Sequence, residues 1–296
     1  MTKQHTMKRR EFIKTTAIGT SGMLLSSYLS ACNSTSAPKN VKDNFGLQLY
    51  TLRDVLPNDP KGILKQVASF GYKQIESYEH KDLGIFWGMK NTEFKKLMDD
   101  LGMTIISSHC DINTDFDRKA AEASEIGMKY LLCPWLGPQK KIDDFKKFAE
   151  TFNQRGETCK KNGIRFGYHN HDYGFLALEG KMPQDVLMQN THKNLVDFEM
   201  DIYWVVTAGQ DPIAWFDKYP GRFKLCHIKD RKKGAPLSQR DASVDLGTGS
   251  IDFKKILKDA GTKGMEYYIV EQEAYENTTP IDAAKADAQY LKNFTA

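Results

Sequence analysis

Four stretches of this 296-residue chain end in groups that bind cations or move protons: "YHNHDYG" (168–174), "FEMDIYW" (198–204), "CHIKD" (226–230) and "YIVEQE" (268–273). Apolar runs seldom carry such groups, because burying them unpaired is costly. One donor from each stretch, namely His169, Asp201, His227 and Glu271, gives two imidazoles and two carboxylates. That mixed set suits one divalent ion, Mn²⁺ first, then Co²⁺ or Zn²⁺, with Mg²⁺ less favoured as imidazoles accumulate. His171 lies two residues from His169 and shares its face in a strand, so it is either the ligand in its place or an acid/base group beside it. Duller roles exist: Asp201 as a cap of the next loop, Glu271 as the partner of Lys229, and Glu273 in place of Glu271.

The chemistry such a set serves is proton removal next to a carbonyl. A side chain cannot take that proton at neutral pH unless the enolate is stabilised, which a cation on the ketone and hydroxyl oxygens does. Glu271, or an imidazole at 169 or 171, would be the base. Lys229 and His109 would polarise the oxygens or protonate a departing one. Reprotonation then gives isomerisation or epimerisation; a leaving group on the next carbon gives elimination.

Those residues need a scaffold that brings four strand ends together. Along the chain an amphipathic stretch repeatedly ends in Gly and an apolar run follows, as in "ILKQVASFGYKQIESY", "FKKLMDDLGMTIISSH" and "ILKDAGTKGMEYYIVE". Gly is the usual left-handed helix stop, and the short apolar run suits a strand buried on both faces. Helices are expected near 60–70, 92–101, 116–126, 142–162, 182–191, 212–218, 252–260 and 281–293. Strands are expected near 45–50, 72–77, 103–109, 129–134, 164–170, 195–201, 223–229 and 266–271. Strict alternation over about 250 residues predicts an α/β fold, a single (β/α)₈ TIM barrel, with chemistry at the C-terminal strand ends. "LQLYTLRD" after the first strand has no glycine, against a dinucleotide loop. Strand ends also supply Tyr50, Glu76, His109 and Trp135. Tyr50, Glu76, Trp135, Trp204 and Glu273 are expected at the substrate, the two tryptophans by stacking on sugar rings. Trp215, on a helix, reads as core. The long loop after the seventh strand contains "DLGTGS", whose amides would suit a phosphate, although a lid or a plain loop fits as well.

Residues 1–31 contain Arg9–Arg10 ahead of a short apolar stretch that ends in "LSAC" (29–32). The apolar stretch is below the ~20 residues of a spanning helix, so it reads as an export signal. It resembles a twin-arginine signal, followed by the box cleaved before a lipidated cysteine. This places the mature chain on the periplasmic side, anchored through Cys32, with residues 32–44 as a flexible tether and 45–296 as the catalytic domain. The signal holds five basic residues and one acidic one, so the formal +4 of the whole chain falls to about zero without it. A nucleic-acid partner is therefore not expected. Cys110, Cys133, Cys159 and Cys226 lack metal-ligand spacing and read as buried thiols, with a disulfide open in an oxidising compartment.

With its strand ends in this order, the chain from 45 to 296 resembles the sugar isomerase and epimerase superfamily of TIM barrels, also called xylose isomerase-like. The family's metal-binding Asp, His and Glu of strands 6, 7 and 8 fall on Asp201, His227 and Glu271. Epimerases of the family place a glutamate where His169 stands, and many relatives carry glutamate at the position of Gly174. Both departures weaken a two-carboxylate epimerase. A "YHxH" run resembles inosose dehydratase, which expels a β-oxygen next to a ketone. The resemblance thus implies a metal-dependent enzyme of unphosphorylated keto-sugars, a lyase of the 3-keto-glycoside 1,2-lyase type. A sugar isomerase or epimerase and a non-catalytic sugar-binding lipoprotein are the alternatives.

Overall fold

The computed structural model describes residues 41–295, and in it eight parallel strands close into a barrel. The strands are β1 (Gly46–Gln48), β2 (Gln74–Tyr78), β3 (Thr104–His109), β4 (Tyr130–Cys133), β5 (Arg165–His169), β6 (Val196–Asp201), β7 (Phe223–Ile228) and β8 (Tyr267–Val270), with β8 pairing both β7 and β1. The helices are α1 (Pro60–Phe70), α2 (Asn91–Asp100), α3 (Phe116–Glu125), α4 (Ile142–Lys161), α5 (Pro183–Asn190), α6 (Ile202–Thr207), α7 (Pro212–Lys218), α8 (Phe253–Thr262) and α9 (Pro280–Lys292). α6 was not anticipated: Asp201 ends β6 and at once caps this short helix, its carboxylate accepting from Trp204 N.

Two apolar layers hold the barrel. The larger lies between helices and strands, where Phe94, Phe145, Phe152, Phe166, Phe198 and Phe216 are fully buried. A smaller cluster of Tyr130, Leu132, Leu225 and Ile269 sits apart from it. By strand alternation these four face the barrel axis, and the residues two further on, Pro134, His227 and Glu271 among them, face the axis one layer up. Gly167 makes room for this floor, since a Cβ there would lie 3.1 Å from Leu132 Cδ2.

Register irregularities fall between Ile75 and Glu76 against β3, and between Phe198 and Glu199 against β7. Bulges of this kind re-aim side chains. Both occur where a glutamate points into the barrel.

The N-terminal boundary differs from expectation. Val41–Asp43 forms a 3₁₀ turn that packs on α9, and Val41 is buried, so the fold begins by residue 41 rather than 45. One apolar residue in a polar stretch is enough to dock it. The signal, Cys32 and the rest of the tether lie outside the described residues.

The "DLGTGS" amides also have an owner. Asp230 is buried, and its carboxylate accepts from the backbone N–H groups of Gly247, Gly249 and Ile251. An internal carboxylate thus takes the donors a phosphate would have used. Buried Arg231 pins the same loop by donating to the Gln239 and Pro236 carbonyls. The four cysteines are buried and free, and burial pushes their thiols up.

Asp287 on α9 accepts from Leu246 N at 2.7 Å through Oδ1, while its buried Oδ2 has no hydrogen-bond partner. Burial, aided by Asp245 and Asp230, raises this carboxyl well above its ordinary range. A raised acid contributes stability below its unfolded pKa and loses it as pH climbs toward the folded one. Asp287→Asn is therefore expected to stabilise the fold by about 1–2 kcal/mol at pH 8 and by less at pH 5. Thermal unfolding at the two pH values checks this; an equal effect at both would contradict it.

Candidate metal centre and active site

At the C-terminal end of the barrel, His169, Asp201, His227 and Glu271 each bring one donor atom into a group whose members all lie within 4.8 Å of one another. His169 Nε2 is 3.1 Å from His227 Nδ1 and 3.5 Å from Asp201 Oδ2, and His227 Nδ1 is 3.1 Å from Glu271 Oε2. All four residues are buried. Of the two histidines, His169 belongs to this group and His171 does not.

The proton positions fit a cation. His169 Nδ1 faces the Pro134 carbonyl at 3.3 Å, and a carbonyl only accepts, so the proton sits on Nδ1 and the Nε2 lone pair points inward. Burial and His227 lower the pKa of His169, which keeps it neutral. His227 Nε2 lies 2.8 Å from Glu76 Oε1, so Nε2–H donates to the glutamate and Nδ1 faces the group. Asp201 spends Oδ1 on Trp204 N and turns Oδ2 toward the histidines. With both histidines in these tautomers, two lone pairs and two carboxylate oxygens would face one point, and the Lys229 ammonium lies 2.8 Å from each of the two oxygens.

Beneath this group is a layer that sequence reading placed wrongly or missed. Glu76, expected at the substrate, is fully buried and accepts from Gln48 Nε2 at 2.7 Å and Ser107 Oγ at 2.5 Å besides His227. Glu199, not singled out before, accepts from His109 Nε2 at 2.8 Å. The alternation of Glu199 and Asp201 in a buried strand was the available signal. Burial and Glu76 push Glu199 up to about 7, while His109 and His227 outweigh burial and hold Glu76 well below its usual range. His109, raised to about 9 against burial by Glu76 and Glu199, keeps its proton.

Above the group opens a cleft of about 340 Å³, lined in part by Tyr50, His109, Trp135, His171, Glu271 and Glu273. Tyr50 and Trp135 are its exposed aromatic groups, 38% and 48% accessible. Trp204 is largely buried, with the Arg240 guanidinium 4.9 Å and Lys229 Nζ 5.1 Å from its ring, and it lines the neighbouring part of the mouth with Tyr50, Trp135 and His171. His171 packs against both Trp135 and Tyr173, at ring separations of 4.4 and 5.8 Å, and those two rings also touch each other. Its Nδ1 is buried without a partner, and burial, His169 and Lys229 bring its pKa well below the ordinary histidine value. It is thus a neutral imidazole on the cleft wall. Lys229 Nζ lies 2.8 Å from Asp201 Oδ2, 2.8 Å from Glu271 Oε2 and 2.6 Å from Glu273 Oε2.

His227 would make metal uptake at this candidate site pH-dependent. Glu199 and Glu271 outweigh burial and raise its pKa well above 6.5, so without a cation a proton occupies Nδ1. Bringing in a divalent ion must expel that proton. Mn²⁺ affinity is expected to fall about tenfold per pH unit below that pKa, with about one proton released per ion. Calorimetry in buffers of different ionisation enthalpy counts the protons, and a count of zero would refute the assignment.

The family model described as xylose isomerase-like TIM barrel matches residues 64–294. Two structures of sugar phosphate isomerase/epimerases from Parabacteroides distasonis are 31% and 29% identical, with TM-scores of 0.72 and 0.74. They cover 88% and 85% of this chain, and 96% and 98% of their own. Inosose dehydratase of Clostridium perfringens is 29% identical over 167 residues, covering 52% of this chain and 56% of that protein, so the chain spans about half the length of the curated relatives it matches. The IolI protein, solved with a bound zinc atom, shares the fold at 15% identity, with a TM-score of 0.69 and coverage of 84% and 98%. The closed parallel barrel and the match across most of its length place this chain in the xylose isomerase-like TIM barrel family.

Proposed function

We propose that this chain is a metal-dependent enzyme that removes a proton α to the carbonyl of an unphosphorylated keto-sugar and expels a β-oxygen, as a 3-keto-glycoside 1,2-lyase does. The observation that carries the reading is the four-donor group set directly beside a neutral imidazole on the cleft wall. His169, Asp201, His227 and Glu271 would hold the ion, Mn²⁺ by preference, which when bound supplies Lewis-acid polarisation of the carbonyl. His171 takes the α proton; the C–H electrons become a C=C bond as the β C–O bond breaks, and His109, held protonated, returns a proton to the leaving oxygen. Glu271 is a poor base, because Lys229 and His227 outweigh burial and hold its carboxyl low. Tyr50 and Trp135 present ring surface to the sugar. Occupation of the glycine-rich amides by Asp230, and the similarity to inosose dehydratase, support an unphosphorylated substrate and elimination. Incubation with Mn²⁺ and a 3-keto-glucoside tests this: release of the aglycone is expected. An isomeric ketose without cleavage would favour the second reading, an isomerase or epimerase, which the similarity to the Parabacteroides proteins supports.

We also propose export and anchoring at Cys32. Cys32→Ala is expected to move the protein from the membrane fraction to the soluble one; unchanged fractionation would count against the anchor.

A further inference from the structure

Lys229, 1% exposed, has three carboxylates as its ion-pair partners among the described residues: Asp201, Glu271 and Glu273. Nζ donates hydrogen bonds to Glu271 Oε2 and Glu273 Oε2, and Asp201 Oδ2 stands beside it as an ion-pair partner at 2.8 Å. Two of those three oxygens, Asp201 Oδ2 and Glu271 Oε2, are the same ones that face His169 and His227 in the donor group. The third, Glu273 Oε2, belongs to no candidate metal group among the described residues. The ring faces of Tyr203 and Trp204, 5.3 and 5.1 Å from Nζ, close the remaining side.

From this we infer that Lys229 is the resident counter-cation of the metal centre: it shares the two ligand carboxylates with the divalent ion, and Glu273 is the seat that lets both cations reside together. The inference rests on the metal-centre reading and goes beyond it. With the ion bound and the imidazoles neutral, three carboxylates balance one ammonium and one divalent ion. Remove the ion, and the ammonium still screens Asp201 from Glu271, so the empty centre stays assembled. The consequence is an ion held less tightly than the same four ligands would hold it alone, and therefore exchangeable. Lys229 is a positioning residue here, not a catalytic one.

The charge arithmetic fixes the sign of three substitutions. Lys229→Met leaves one unbalanced negative charge and should bind Mn²⁺ about tenfold or more tightly than the wild type. Glu273→Gln removes one negative charge, presses the ammonium onto the ligand oxygens, and should weaken Mn²⁺ by a similar factor. The double variant restores the balance and should return to within about threefold of the wild type. Chelator competition with Mn²⁺ on the full chain reads all three. Lys229→Gln, which keeps a donor for Glu273, provides a second neutral probe should the methionine disturb the fold. Lys229 variants that bind Mn²⁺ no more tightly than the wild type overturn the inference, as does loss of fold in both with and without Mn²⁺. A wild-type chain that takes up no Mn²⁺ would instead sink the metal-centre reading beneath it.

Discussion

Asp201→Asn is expected to empty the metal centre and lower kcat/KM by about 10³-fold or more while leaving the fold intact. The two oxygens of Asp201 do separate jobs, and the substitution removes only one of them. Oδ1 caps α6 at Trp204 N, 3.1 Å away, and an asparagine carbonyl can do the same. Around it, Asn170 bonds both the N–H and the C=O of Asp201, which fixes the backbone whatever the side chain. Oδ2 faces His169 and Lys229, and there the charge matters. Lys229 is the first influence that outweighs burial and holds the Asp201 carboxyl well below its usual range, so it is ionised at any working pH. A neutral amide leaves Lys229 and any bound ion with Glu271 alone between them. Asp201→Ala loses the cap as well, and should cost about 1 kcal/mol more in stability than Asn. Elemental analysis beside thermal unfolding separates the two effects; an Asn variant that keeps its ion and its activity would remove Asp201 from the centre.

The scaffold was legible because its rules are local. A buried parallel strand needs an uninterrupted apolar run, and a helix feeding it needs a stop, so Gly71, Gly102, Gly127 and Gly163, all at positive φ, mark the helix ends. The donor group was legible for a related reason: alternation in β5 to β8 puts His169, Asp201, His227 and Glu271 on the inward face. What alternation alone does not give is depth. Glu76 and Tyr50 both read as strand ends, yet Glu76 lies inside β2, sealed below the histidines, and Tyr50 lies beyond β1, at the mouth. The strands that carry Glu76 and Glu199 also have register irregularities beside these residues, which leave no signature in residue type. The Asp230 carboxylate inside the glycine-rich loop was hidden for another reason. Nothing in "DLGTGS" says whether its amides face solvent or a residue seventeen positions earlier.

The division of labour between the paired histidines yields the other large effect. His171→Phe is expected to lower kcat about 10²- to 10⁴-fold with metal content unchanged, whereas His169→Ala should lose the ion. Phenylalanine keeps the aromatic packing against Trp135, Tyr173 and Trp204, so any loss reports the imidazole rather than the cleft wall. The pH profile carries the sharper signature. Burial, His169 and Lys229 all disfavour a charged His171, so its basic form persists well below pH 6.5. A base must be unprotonated to act, so an acid limb belonging to His171 lies below the ordinary histidine range, with activity retained above it. That limb should vanish in His171→Phe, leaving only the shallower loss that follows metal release. If instead His171→Phe loses the ion and His169→Ala keeps it, the two roles exchange, and the tautomer fixed by the Pro134 carbonyl serves proton transfer rather than ligation. The donor group argues against that exchange, because it contains His169 and not His171.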